Sequence, residues 1–312
     1  LAGDVLGGRG VLHSREYQRA LVAAEMEGAI MRCVFCKSRS DDSASVEHIM
    51  PESFGNIEHV LPKTWVCDPC NNYLAREVEK PFLDSAYGKI SRFEMAVPNK
   101  RGRIPPITGI HAQSGKMVEV YLSPEDRSLC MGAAKAHDES KFINSLNSSS
   151  HGTLYLPMVE IPPSDFTTAR FIGKVGLEVL TESCIKVPGW NDEIVDKLEL
   201  DELRRYVRIG GAKDVWPVHI RRIYPAEHVF TDASNVPHQV LHEWKILHVP
   251  KSELCGEYYA VIAIFGIEYT MNLGGPELGG FYFWLKNHNN ESPLYPNEAL
   301  QDSVRRPSAR PL

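Results

Sequence analysis

The spacing of apolar residues divides the 312-residue chain into stretches of different period. In "DFTTARFIGKVGLEVLTE", Phe171, Val175, Val179 and Leu180 share one helical face, and Asp165 or Thr167 is placed to cap the first turn. In "NDEIVDKLELDELRRYVRIGG", Ile194, Leu198, Leu203 and Val207 recur at helical spacing, and Gly210-Gly211 ends the run. A third helical pattern, "SREYQRALVAAEMEGAI" with Ser14 as N-cap, lies within residues 1–30, which read as a leader or peripheral helix. "KMVEVYL" (116–122), "HQVLHEWKILHV", "YYAVIAIFGIEYTMNL" and "GGFYFWLKNH" read as strands. Residues 135–152 are polar, with one short helix expected, and residues 288–312 read as a frayed tail. The mixture predicts an α+β chain.

One short apolar run breaks the pattern. "SVEHIMP" has the Val46, Ile49 and Pro51 of a strand running into a loop, but it carries the ionisable pair Glu47-His48. A plain strand does not account for that pair.

Composition narrows the classes. Hydrophobic residues make up 43% and charged residues 24%, the balance of a globular protein. A net charge of -6 and a pI near 6.1 disfavour a protein that coats nucleic acid with its whole surface, and local basic patches are compatible with them. The longest apolar run, near Tyr258 to Ile267, is about half of a membrane span. Residues 1–12 lack a basic segment followed by an apolar core. A cytoplasmic protein with no membrane partner is expected.

Cysteine placement changes the picture most. Cys33/Cys36 in "CVFC" and Cys67/Cys70 in "CDPC" form two C-x-x-C pairs, and Cys130, Cys184 and Cys255 stand alone as small buried hydrophobes. Two such knuckles present four thiolates, a full tetrahedral zinc shell with no open position, so the zinc is structural. Residues 37–66 lie between the pairs, a longer interval than the roughly 15–20 residues of a common zinc ribbon. The order within that frame reads strand, loop, strand, helix, with Asn71-Asn72 opening a helix "NNYLAREVEK" that Pro81 ends.

"EHIMPESFGN" and "VCDPCNN", framed by "CVFC" and "CDPC", resemble the His-Asn-His (HNH) endonucleases of the ββα-metal fold. The resemblance covers about residues 31–84. It implies that His48 is the general base that deprotonates water. It also implies that Glu47 and Asn71 hold one catalytic divalent metal, Mg²⁺ or Mn²⁺, beside the structural Zn²⁺. Neutral imidazole suits proton abstraction near pH 7, and carboxylate and amide oxygens suit Mg²⁺. Two positions depart from the family pattern: Glu47 stands where Asp is more familiar, and no Asn precedes the third cysteine, Asn56 being the nearest. His59 reads as structural, and Glu77 and Glu79 as exposed helical glutamates.

Past the module, Lys89, Arg92, Lys100, Arg101 and Arg103 form a basic linker over 85–103 suited to phosphate contacts. A second basic group, Arg204, Arg205, Arg208, Lys213, Arg221 and Arg222, reads as a solvated face. The expected organisation is a nuclease module over 31–84, the linker, a larger β-rich α+β domain over 104–290 serving recognition, dimerisation or sensing, and the tail from 291. The resemblance implies a DNA endonuclease, with restriction or phage defence as the family-level setting. Single-metal duplex cleavage generally needs two copies, which leaves a homodimer open. A zinc-stabilised nucleic-acid-binding module without hydrolysis and an RNA-directed nuclease are the alternatives.

Overall fold

The computed structural model describes residues 31–56, 58–99, 101–148, 151–185, 191–210, 214–231, 235–251, 256–295 and 309–311. The expected helix within residues 1–30 lies outside them, as do Lys100, Lys213 and Cys255. The chain forms two compact units. One holds the residues up to Met50, Glu58–Pro81 and those from Pro163 onward; the other holds Pro51–Ile57 and Phe82–Pro162. The division departs from the expected one: most of the zinc module shares a unit with nearly the whole second half of the chain, and the stretch expected as one domain over 104–290 is split.

In the first unit, β1 (Glu47–His48) pairs antiparallel with β2 (Val60–Leu61), Glu47 opposite Leu61 and His48 opposite Val60. Helix α1 (Asp68–Leu74) follows directly on the third cysteine. Pro69 sits in its first turn, where its missing N–H costs nothing. Asp68 accepts hydrogen bonds from the Ser45 amide at 2.9 Å and the Ala44 amide at 3.3 Å, which ties the approach to β1 to the start of α1. Pro81 does not end the helix as expected. A π-helical turn, Ala75–Glu79, absorbs the break, with the Lys80 amide reaching back to Ala75 O, and α2 (Lys80–Asp84) continues through the proline. Arg170 Nη1 donates to the Glu77 carbonyl at 3.2 Å, the acceptor four residues before the proline.

The core of this unit is α3 (Phe166–Ile185), buried on nearly every side, with the Thr168 amide bonded to the predicted cap Asp165 at 2.8 Å. It packs on an antiparallel sheet ordered β10 (His242–Pro250), β11 (Gly256–Ile264), β12 (Ile267–Asn272), β7 (His219–Arg222). A Cβ on Gly176 would stand 2.9 Å from the Ala260 Cβ, so glycine is what lets helix and sheet approach this closely. The predicted second helix is broken into α4 (Asn191–Asp196), a 3₁₀ turn (Leu198–Leu200) and α5 (Asp201–Ile209). A small sheet joins β8 (Val229–Thr231), β9 (Pro237–Val240) and β13 (Ala309–Pro311), so the expected frayed tail includes a paired strand.

"GGFYFWLKNH", expected as a strand, is helix α6 (Gly279–Asn287). Its aromatic content favours a strand, but Leu278, Phe281 and Leu285 recur at helical spacing and pack on Leu247, Val249, Tyr259 and Val261. Among the described residues, no helix is long and apolar enough to cross a membrane.

The second unit has an antiparallel sheet ordered β5 (Leu129–Ala133), β4 (Lys116–Leu122), β3 (Ile107–His111), β6 (Leu154–Tyr155), with the predicted strand 116–122 reproduced in full. Residues 85–103 are not a plain linker: Ser85 caps a helix over Ala86–Glu94 through the Gly88 amide at 3.1 Å. Ile90 and Phe93 from that helix join Ile104, Ile107 and Val120 in a core of the unit's own.

Candidate nuclease site

The four cysteines of the two knuckles converge. Their Sγ atoms all lie within 4.8 Å of one another, and Cys36 Sγ is 3.6 Å from Cys67 Sγ. Four sulfurs each about 2.3 Å from a central ion stand roughly 3.8 Å apart, so the cluster fits a tetrahedral Zn²⁺. Hydrogen bonding to Cys33 and then burial push the Cys36 thiol up to about 12. Neighbouring groups hold the first knuckle from outside. Arg204 on α5 donates to the Val34 carbonyl at 2.8 Å, Lys37 pairs with Asp201 at 2.5 Å, and Arg32 meets Asp196 through two bonds of 2.7 and 2.6 Å.

Within this clamp, His48 is half-buried on β1, and Asn71 is half-buried in the first turn of α1. Asn71 Nδ2 donates to the Val46 carbonyl at 3.2 Å, tying the helix start to the strand that carries His48. That bond leaves Oδ1 as the free oxygen of the amide. Adjacent strand residues face opposite ways, and Glu47 turns inward, only 5% exposed.

Glu47 meets Lys174, a fully buried lysine of α3 that the sequence reading missed. Lys174 Nζ lies 2.7 Å from Glu47 Oε1, 2.7 Å from Glu79 Oε1, 2.9 Å from Glu178 Oε2 and 2.8 Å from the His48 carbonyl oxygen. The π-helical turn carries Glu79 into this cluster, so Glu79 is not the exposed helical glutamate expected; Glu77, paired with Arg76 at 2.6 Å, is exposed. Glu47 Oε2 and both carboxyl oxygens of Glu178 are buried without a hydrogen-bond donor, so the 2.9 Å approach of Lys174 Nζ to Glu178 Oε2 is a charge contact and not a hydrogen bond. Burial, opposed by Lys174, pushes Glu178 well above the usual carboxylate range, and burial raises Glu47 as well. A signal for the cluster was present in the sequence: Lys174 and Glu178 are an i,i+4 pair inside the otherwise apolar "FIGKVGLEVL".

Asn56 is buried, and the His59 ring packs edge-on against Trp244 at 4.8 Å and near His242 at 6.0 Å, a structural role. Of the basic residues, Lys89, Arg101 and Arg103 are exposed, and Asn99 Oδ1 accepts from the Arg101 and Arg103 amides. Arg92 is buried, its Nε bonded to the Gly88 carbonyl at 3.2 Å, and burial lowers its pKa. Arg204 of the second basic group is likewise buried, and Arg221 pairs with Glu268 at 2.6 Å.

Comparison with known families agrees with this geometry. Residues 33–86 match the family model of the HNH endonucleases, and the same segment carries the β-β-α order and the four-cysteine cluster. The match covers the module and not the rest of the chain. Neither the comparison with curated proteins nor that with solved structures finds a match.

Proposed function

We propose that the protein is a metal-dependent endonuclease that hydrolyses phosphodiester bonds of DNA, with His48 as the general base. The observation that carries this reading is the Asn71–Val46 hydrogen bond within the cysteine frame, which fastens the start of α1 to the strand bearing His48. A half-buried imidazole beside solvent can accept a proton from water at neutral pH. Its own backbone is held from behind by Lys174, which fixes the strand without using the ring.

Glu47 and Asn71 would hold one Mg²⁺ or Mn²⁺. The donor set fits: Asn71 has its amide oxygen left over, and Glu47 has a carboxylate oxygen that meets no N–H or hydroxyl donor. When bound, such an ion supplies charge neutralisation at the scissile phosphate and its leaving oxygen. In the second unit, Lys89, Arg101 and Arg103 offer exposed charge for phosphate contacts, which carry no sequence information.

Nicking of supercoiled plasmid in Mg²⁺ or Mn²⁺ tests the reading. His48→Ala is expected to cut the rate by about 10²–10⁴, the worth of a positioned general base, with zinc content unchanged. A His48→Ala protein that nicks as fast as its parent removes His48 from that role. DNA binding that survives EDTA, with no nicks at any metal concentration, leaves the binding module instead.

A further inference from the structure

The most deeply buried charge beside the nuclease strand comes from outside the matched module. Lys174 is fully buried, yet its ammonium has only three N–H bonds to give, and four oxygens stand within 2.9 Å of it. Three belong to carboxyl groups and one is a backbone carbonyl. Hard oxygens converging on one point are the shell that an oxygen-seeking divalent cation takes. Here an ammonium occupies that centre. Glu47, the carboxylate assigned to the metal above, is one of the four. Its second oxygen meets no N–H or hydroxyl donor, and its first is held by Lys174 at 2.7 Å.

We propose that Lys174 is a built-in cation that competes with the catalytic divalent metal for Glu47, so that α3 sets the metal affinity of the nuclease site. The inference rests on the nuclease reading of Glu47. An ammonium and a metal ion repel, and they cannot both take a short contact to the same carboxylate oxygen at full strength. Metal loading therefore draws Glu47 away from Nζ, and Glu79 remains to keep the buried ammonium paired. Glu79 suits that part: it is the least buried of the three carboxylates, with 14% of its side chain exposed, and it bonds Nζ at 2.7 Å. Lys174 is on this account a positioning residue that acts through Glu47 and touches neither substrate nor metal.

Two variants move the affinity in opposite directions. In Lys174→Met/Glu79→Gln one positive and one negative group are removed together, so the formal charge of the cluster is unchanged. Mn²⁺ binding to the zinc-loaded full chain, followed by loss of the free-ion EPR signal, is expected to tighten at least ten-fold. Adding Glu47→Gln is expected to abolish that gain. Glu79→Gln alone leaves the ammonium fewer partners, turns it more fully onto Glu47, and weakens Mn²⁺ binding several-fold. Unchanged or weaker binding in the double variant, or a gain that survives Glu47→Gln, overturns the proposal. Zinc content and thermal melting report folding. Where the double variant does not fold, Glu79→Gln decides alone, and unchanged or tighter binding there overturns it. The nuclease reading is judged separately by His48-dependent nicking: a parent that nicks through His48 while these affinities fail to move loses only the competition by Lys174.

Discussion

His242 is 2% exposed and lies parallel to the Trp244 ring at 5.6 Å, with His59 edge-on beside it. Burial, with a smaller electrostatic contribution from His59, pushes its pKa down to about 3. The unfolded imidazole takes its proton near pH 6.5, and the folded one resists down to about pH 3. The unfolded state therefore binds more protons between those values. Stability is complete above pH 6.5 and drains as the pH falls toward 3. At pH 5.5 this one site should already cost on the order of 1 kcal/mol. His242→Phe keeps an aromatic ring in the stack and removes the titration. Melting curves at pH 7.5 and 5.5 should show a smaller acid loss for the variant than for the parent; equal losses would place the acid sensitivity elsewhere.

At the scale of elements, α5 matters to the zinc knuckle through one side chain. Arg204 is 3% exposed and donates to the carbonyls of Val34, Lys197 and Ile194 as well as to Asp201. Burial lowers its pKa, partly offset by Asp201, so the charge is tolerated only because its donors are filled. Arg204→Met should cost about 3 kcal/mol, since it leaves buried carbonyls without donors, and should speed zinc loss to a chelator. Zinc loss at the parental rate would mean that the thiolates alone set the knuckle's lifetime. What the sequence revealed at this scale follows the reach of each signal. The C-x-x-C pairs, the strand at 116–122 and the Asp165 cap are local and were legible. Pro81 misled, because the bond it cannot make is absorbed by a π-helical turn, and Arg170 from α3 reaches the Glu77 carbonyl beside it. The α6 helix was missed because aromatic residues carried strand propensity while Leu278, Phe281 and Leu285 carried the helical period. Lys174 was legible only as a charge out of place; its partner His48 lies 126 residues away, and no spacing rule reaches that far.

At the scale of the whole molecule, the two units should answer differently to the loss of zinc. The β1–β2 hairpin has two residues in each strand, too little to bury a core of its own, so the cysteine cluster supplies much of its folding free energy. The same hairpin carries Glu47 and the His48 carbonyl, two of the four oxygens that surround Lys174 Nζ in the centre of α3. Without them a fully buried ammonium keeps Glu79 and Glu178 beside it but loses two short contacts, and that cost falls on α3 and not on the knuckle alone. Loss of the ion should therefore spread along the first unit: from Cys33–Cys36 and Cys67–Cys70, through β1, to Phe166–Ile185 and Asp201–Ile209. The second unit packs Ile90, Phe93, Ile104, Ile107 and Val120 in its own core, with no part of the cysteine cluster among them. Hydrogen exchange before and after treatment with a zinc chelator should show lost protection along that first path and unchanged protection across Ile107–His111 and Lys116–Leu122. Protection lost only at the knuckles would mean that the ammonium finds other partners; protection lost equally in the second sheet would mean that zinc holds the chain together as one cooperative unit.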